Sequence, residues 1–348
     1  MSNTLDGAAL LEKHNPFLIL YPQEPKLRSR PGARFAGRHG WGDYHPCSVE
    51  FFLARIHQRD RPPPYDLRNL FRRWQPLERT GLPTLQSKLA SVSPEDTSDW
   101  ELDVAGIPSQ SERQAWRTYG ELLDETQEPY ECVVYGRYVV VESGPALQYW
   151  YLYIYNDFRN NDEADWEMAA IGLASDGTPV QMGLSSHHGG TRRSWADVLK
   201  DGDRPLLYAA RGSHAGYFKY DKRGYHALQL QARSNPPPAL KFLVSVLQRL
   251  PGIRRWRDST PAHPERDGDA NPKHMGQRVN PRLRIMPDSI DQAPDSDWWW
   301  LRYRGKWGST HPRIAGTVGI DTPWGQAGQD PRWADPVAWI RSLRNDSV

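Results

Sequence analysis

Seven consecutive residues, Tyr149-Trp150-Tyr151-Leu152-Tyr153-Ile154-Tyr155, alternate without a break between tyrosine and an apolar residue. In an extended strand successive side chains point to opposite faces, so Tyr149, Tyr151, Tyr153 and Tyr155 line one face and Trp150, Leu152 and Ile154 the other. The stretch commits the chain to a strand. A polar connection, residues 156–164, follows, and Asp165-Trp166-Glu167 then opens a second apolar run that reaches Leu173. The same alternation aims Asp165 and Glu167 to one side and Trp166 to the other. Two carboxylates that share a direction, fed by Asp157, Asp162 and Glu163, repel each other unless something positive sits among them. A divalent cation, an arginine or a shared proton would serve.

The rest of the chain suits a β core. Its 28 Gly and 30 Pro in 348 residues favour many turns over long helices, and 15 Trp with 16 Tyr supply apolar surface. A net charge of +2 gives no mandate for nucleic acid, and short basic runs such as Arg254-Arg255-Trp256-Arg257 read as a solvated face. Two cysteines, Cys47 and Cys132, make no disulfide framework. No signal peptide is visible at the N-terminus and no run of 18 apolar residues exists, so the expectation is a cytoplasmic protein without a transmembrane segment.

The expected fold is mainly β: an antiparallel β-sandwich core with helical and loop insertions in a single domain, 1–348. Residues 16–56 read as an N-terminal strand and a helix capped by Ser48 and extending to Ile56, and 57–128 as an insertion or arm with a helix over 111–125. Residues 129–230 form the sandwich core, with strands over 130–142, 149–155, 168–173, 179–186 and 205–211. Gly144-Pro145 is read as a turn, and 194–199 as one helical turn. Residues 231–348 hold an amphipathic helix over 239–250, a loop over 260–281, a closing strand and turn over 298–308, and a helix near Asp335-Pro336.

Polar donors appear where apolar runs stop: Asp165 and Glu167, His187 and His188, and His214. Carboxylate oxygens with neutral imidazoles can ligate Zn, Mn, Fe or hydrated Mg, whereas Ca wants mostly oxygen. Each reading has a plainer companion. Any one of these histidines is an ordinary hydrogen-bonded residue on its own, and the Asp165/Glu167 pair could face Arg211 or Arg192 as a salt bridge. The tyrosine ladder reads first as cross-strand packing.

Several blocks carry a resemblance. Tyr44-His45-Pro46, Ser48-Val49-Glu50-Phe51-Phe52-Leu53, Gln148-Tyr149-Trp150-Tyr151, Asp165-Trp166-Glu167, His187-His188-Gly189-Gly190, Ala210-Arg211-Gly212-Ser213-His214-Ala215 and Gly305-Lys306-Trp307-Gly308 resemble the family named after vacuolar protein sorting-associated protein 62. More distantly, Asp165-Trp166-Glu167 followed by His188-Gly189-Gly190 is similar to the necrosis- and ethylene-inducing-peptide-like cytolysins. That second resemblance implies a β-sandwich holding a divalent cation through Asp, Glu and a nearby His, and binding sphingolipid head groups. Both families usually place a histidine three residues before the Asp; here Asp162 stands there, which hardens the site and moves the expected metal from Zn towards Mg, Ca or Mn.

Two function classes follow. In the first, the chain is an enzyme: a divalent metal held by Asp165, Glu167, Asp162, His187 and His188 activates a substrate or water, with His188, His214 and Arg211 as catalytic groups. Ester or phosphoester hydrolysis, or lyase or cyclase chemistry, would suit that equipment. In the second, the same cation fixes a small-molecule, lipid-head-group or glycan ligand without turnover.

Overall fold

The computed structural model describes residues 5–21, 45–54, 56–60, 82–98, 100–104, 130–156, 162–186, 189–221, 225–226, 257–258, 260–267, 275–287, 297–308, 320–321 and 330–346. The expected helices over 111–125 and 239–250 lie outside these residues. Among the described residues the fold is mainly β, with two packed sheets at its core, smaller sheets beside them and no closed barrel.

The larger sheet has seven strands in the order Arg282–Ile285, Val133–Val141, Gly144–Asn156, Asp162–Leu173, Pro179–Ser186, Gly189–Ser194 and Arg344–Asn345. Its middle is the antiparallel meander read from the alternating pattern, with Tyr151 opposite Glu167 and Tyr153 opposite Asp165. Its two edges are parallel additions: Arg282–Ile285 runs along Val133–Gly136, and Arg344–Asn345 along Thr191–Arg192. The second sheet places Phe17–Leu20 between Arg204–Ala209, its parallel neighbour, and antiparallel Gln277–Val279. The sheets are therefore mixed where an antiparallel sandwich was expected. Each parallel partner comes from a segment remote in the chain, and a hairpin rule cannot foresee such pairing.

Both faces of the central hairpin are covered. Leu147, Tyr149, Tyr151, Ala169, Ile171 and Leu184 meet Leu18, Leu20, Leu207, Ala209 and Phe218 of the second sheet. On the other face, Trp150, Leu152, Ile154, Trp166 and Met168 join Phe52, Trp300, Trp307, Trp339 and Ile340. A buried aromatic side chain removes some 150–250 Å² from water, about 4–6 kcal/mol each at 25 cal/mol/Å², so these rings dominate cohesion.

Local signals explain several short helices. Ser48 caps the helix Val49–Leu53 by accepting from the Phe51 N–H at 3.0 Å, and Asp335 caps Pro336–Ser342 by accepting from Ala338 at 2.8 Å. The Ser48 helix stops at Leu53, and Ile56–Asp60 continues as a strand paired with Trp100–Val104, so part of the expected arm is sheet. Gly144 opens a strand instead of turning, with φ +126° at the strand start. The polar connection ends earlier than expected, because the strand starts at Asp162. Trp299–Arg302 is a 3-10 turn that buries Trp299, Trp300 and Leu301, and only Lys306–Trp307 of the expected closing strand is strand. Gln277–Val279 forms a strand inside the expected loop. An unforeseen helix, Gly7–Lys13, is capped by Asp6 and buries Leu11 in the inter-sheet core.

Candidate functional site

Asp165 and Glu167 sit near the end of the central hairpin, where the Gly144–Asn156 strand runs towards its connection. The second sheet approaches that end through the turn after Arg204–Ala209. The turn is closed by Ala210, whose N–H donates to the Ala215 carbonyl at 2.9 Å and whose carbonyl accepts from His214 at 3.0 Å. Gly212, at φ +81°, permits this tight path.

His214 emerges from the turn onto Asp165. Its Nδ1 stands 3.0 Å from Asp165 Oδ2 with both side chains buried, and its ring stacks on Tyr153 with centroids 3.8 Å apart and planes 3° from parallel. A carboxylate only accepts, so the proton of a neutral ring lies on Nδ1 and Nε2 is the basic atom. Glu167 is held differently. Ladder pairing with the next strand ends at Ala169 opposite Leu184. Beyond that point the Ser185 hydroxyl accepts from the Met168 N–H at 2.7 Å and donates to the Glu167 carboxylate.

Backbone strain gathers here. Among the described residues, the non-glycine positions with positive φ are Ala164, at +52°, and His214, at +55°. One precedes Asp165 and the other is its partner. The left-handed conformation costs an L-residue about 1–2 kcal/mol, so the surrounding structure must over-determine both positions. Electrostatics add to the tension. Burial, reinforced by the charge of Asp165, pushes the Glu167 carboxyl well above its ordinary 4.5, against the pull of the Ser185 hydrogen bond, Arg332 and His214.

Of the sequence candidates, the structure joins Asp165 and His214 directly and sets Glu167 on the same strand face two residues on. The Arg211 guanidinium stands over the Tyr21 ring, 5.7 Å from its centroid, and Arg192 donates to Asn345 at 3.0 Å. His187, His188 and the side chain of Asp162 lie outside the described residues. The strands around the two histidines pair with Ser186 opposite Gly189. Among the described residues, no group of three or more His, Cys, Asp and Glu forms a ready-made metal cage. His214 engages Nδ1 with Asp165, so any ligation by its ring would be through Nε2.

Sequence reasoning missed Ser185, Ala164 and the stacking role of Tyr153. The tyrosine did lie on the acidic face by alternation; the strained alanine has no sequence signal.

No family model matches the chain, that of vacuolar protein sorting-associated protein 62 included, and no curated protein matches it. Similar solved structures belong to the toxin fold of the necrosis- and ethylene-inducing proteins. One, described as a toxin fold as basis for microbial attack and plant defense, is 17% identical with a TM-score of 0.24, over 46% of this chain and 73% of that one. NLPPya in complex with glucosamine is 22% identical with a TM-score of 0.23, over 25% of this chain and 45% of the other. The same values hold for Necrosis and Ethylene inducing Protein 2 from the causal agent of cocoa's witches' broom disease. The chain spans less than half the length of most of these structures. Likeness of this extent leaves the function to be argued from the geometry of the site.

Proposed function

We propose that this end of the sandwich is a ligand-binding site in which Asp165 and Glu167 take up a hard divalent cation and, with His214, hold a polar ligand such as a glycan or lipid head group. The carrying observation is the concentration of strain: Ala164 and His214 adopt left-handed backbone to keep a buried imidazole on a buried carboxylate. Two carboxylates sharing a strand face, one of them kept from ionising by burial and by the other, suit a cation that would discharge both. The donor set suits the metal class. Oxygen dominates it, which favours Mg, Ca or Mn over Zn. Bound there, such an ion supplies positive charge for ligand oxygens. Tyr153 keeps the His214 ring in plane, Asp165 fixes its tautomer, and Ser185 holds the Glu167 carboxyl.

Metal analysis of protein purified without added ions, repeated on Asp165→Ala, tests this reading. A stoichiometric divalent ion in the parent and its loss in the variant support it; equal content in both removes it.

The His214–Asp165 pair favours a second reading. An imidazole oriented by a buried carboxylate is the arrangement of a general base, with Nε2 taking a proton during ester or phosphoester hydrolysis. Turnover of an ester and phosphoester panel that disappears in His214→Ala would move the protein from binding to catalysis.

A further inference from the structure

Ser186 is the last residue of its strand and has a relative exposure of 1%. Its hydroxyl nevertheless has no hydrogen-bond partner. Buried polar groups are rarely left in this state, because an unmet hydroxyl is destabilising where alanine would not be. Its position explains why such a group is worth retaining. Met182 and Leu184 both pack in the core between the sheets, so alternation puts Ser186 on the same inner face. The turn bearing His214 descends on that place: a Cβ on Gly216 would stand 3.3 Å from the Leu184 Cβ and 3.3 Å from the Ser185 carbonyl oxygen. His214 lies two residues back along this turn, and the neighbouring Ser185 holds Glu167. Ser186 therefore belongs to the same end of the sandwich as Asp165, Glu167 and His214 and is hydrogen-bonded to none of them.

We propose that Ser186 is a ligand-contacting, specificity-determining residue, whose hydroxyl exchanges hydrogen bonds with a hydroxyl group of the bound ligand. The inference rests on reading this end of the sandwich as the ligand site. A serine hydroxyl offers one donor and two acceptor lone pairs, and an alcohol answers both functions. A site built around a buried polar group discriminates against ligands that leave it unpaired. The chemical class that meets the hydroxyl in both roles is thus a neutral polyol or sugar.

The test uses the full chain loaded with Mn²⁺, titrated calorimetrically with glucose. Mn²⁺ uptake and thermal stability are measured in parallel. Ser186→Ala is expected to take up Mn²⁺ as the parent does and to bind glucose roughly three- to tenfold more weakly, the worth of one neutral hydrogen bond. The ligand-free variant melts about 2 °C higher because its unmet hydroxyl is gone. Ser186→Thr, which keeps the hydroxyl, recovers the glucose affinity. The proposal is overturned if Ser186→Ala binds glucose as tightly as the parent, if it melts lower, or if the cation-loaded parent binds no glucose. Failure of the underlying site reads differently: Asp165→Ala then takes up as much Mn²⁺ as the parent, whatever Ser186→Ala does.

Discussion

The two faces of one hairpin follow opposite designs. On one, Trp150, Leu152, Trp166 and Met168 are buried among other aromatic rings, and indole planes meet edge to face, as with Trp166 and Trp307 at 5.5 Å and 89°. On the other, one residue along in each strand, Tyr153, Asp165 and Glu167 are equally buried but answer to a strained histidine turn. Alternation separates the two functions at a spacing of a single residue. The aromatic face supplies the cohesion that lets the polar face keep an unfavourable arrangement, a relation expected where a site is pre-organised at the expense of stability.

The largest expected effect sharpens that contrast. Trp166→Ala leaves a cavity among Tyr135, Trp300 and Trp307 and should cost about 4 kcal/mol in urea unfolding. Glu167→Gln, at the next position, should cost no stability at neutral pH while abolishing cation uptake. A comparable loss of stability in both variants would mean that the two faces are not functionally distinct.

Asp165→Ala comes next. It removes the carboxylate that stands 3.0 Å from His214 Nδ1, and should destabilise by about 1–3 kcal/mol through the loss of that buried hydrogen bond. Nuclear magnetic resonance of the imidazole should show His214 losing its fixed tautomer; an unchanged spectrum would deny the pair its role.

The dependence on pH separates the regions by sign. Burial lowers His14, His45 and His263 from their ordinary 6.5, so the folded state resists a proton that the unfolded chain accepts. Stability contributed by these residues is present above pH 6.5 and is lost as pH falls through 6.5 towards the lowered values. Glu167 acts oppositely. Its raised carboxyl keeps its proton above 4.5 while the unfolded chain releases one, so its contribution is lost as pH rises from 4.5 through the raised value. Thermal melts across pH 4–9 should therefore show a steeper acid limb in the parent than in His14→Gln, and a gain on the alkaline side in Glu167→Gln. Parallel curves would contradict both assignments.

The smallest effect is the most local. Ala164→Gly relieves left-handed strain at the cost of chain entropy, a net gain of about 0.5 kcal/mol, and should weaken cation binding a few-fold by loosening Asp165. A loss of stability would show that Ala164 is not strained.

Much of this architecture was legible in the residues. Strict alternation from Tyr149 to Tyr155 identified the central strand and the shared direction of Asp165 and Glu167, because a period of two leaves few alternatives. Ser48 and Asp335 marked helix starts through their capping chemistry. What escaped depends on pairing between remote segments. Nothing local marks Gln277–Val279 or Arg282–Ile285 as strands, since each is short and gains its hydrogen bonds from Phe17–Leu20 and Val133–Gly136. His214 could be named as a strand-end donor, but its stacking on Tyr153 and its left-handed backbone follow from how the two sheets meet. Ser185 became visible only once the ladder was seen to end at Ala169.

The central claim is that a buried carboxylate pair, held by strain beside His214, takes up a divalent cation. Titration of chelator-stripped protein with Mn²⁺, followed by electron paramagnetic resonance of the free ion, measures this directly. The account predicts one saturable site in the parent and none in Asp165→Ala or Glu167→Gln. Saturable uptake that persists unchanged in both variants, or no uptake by the parent, would contradict it.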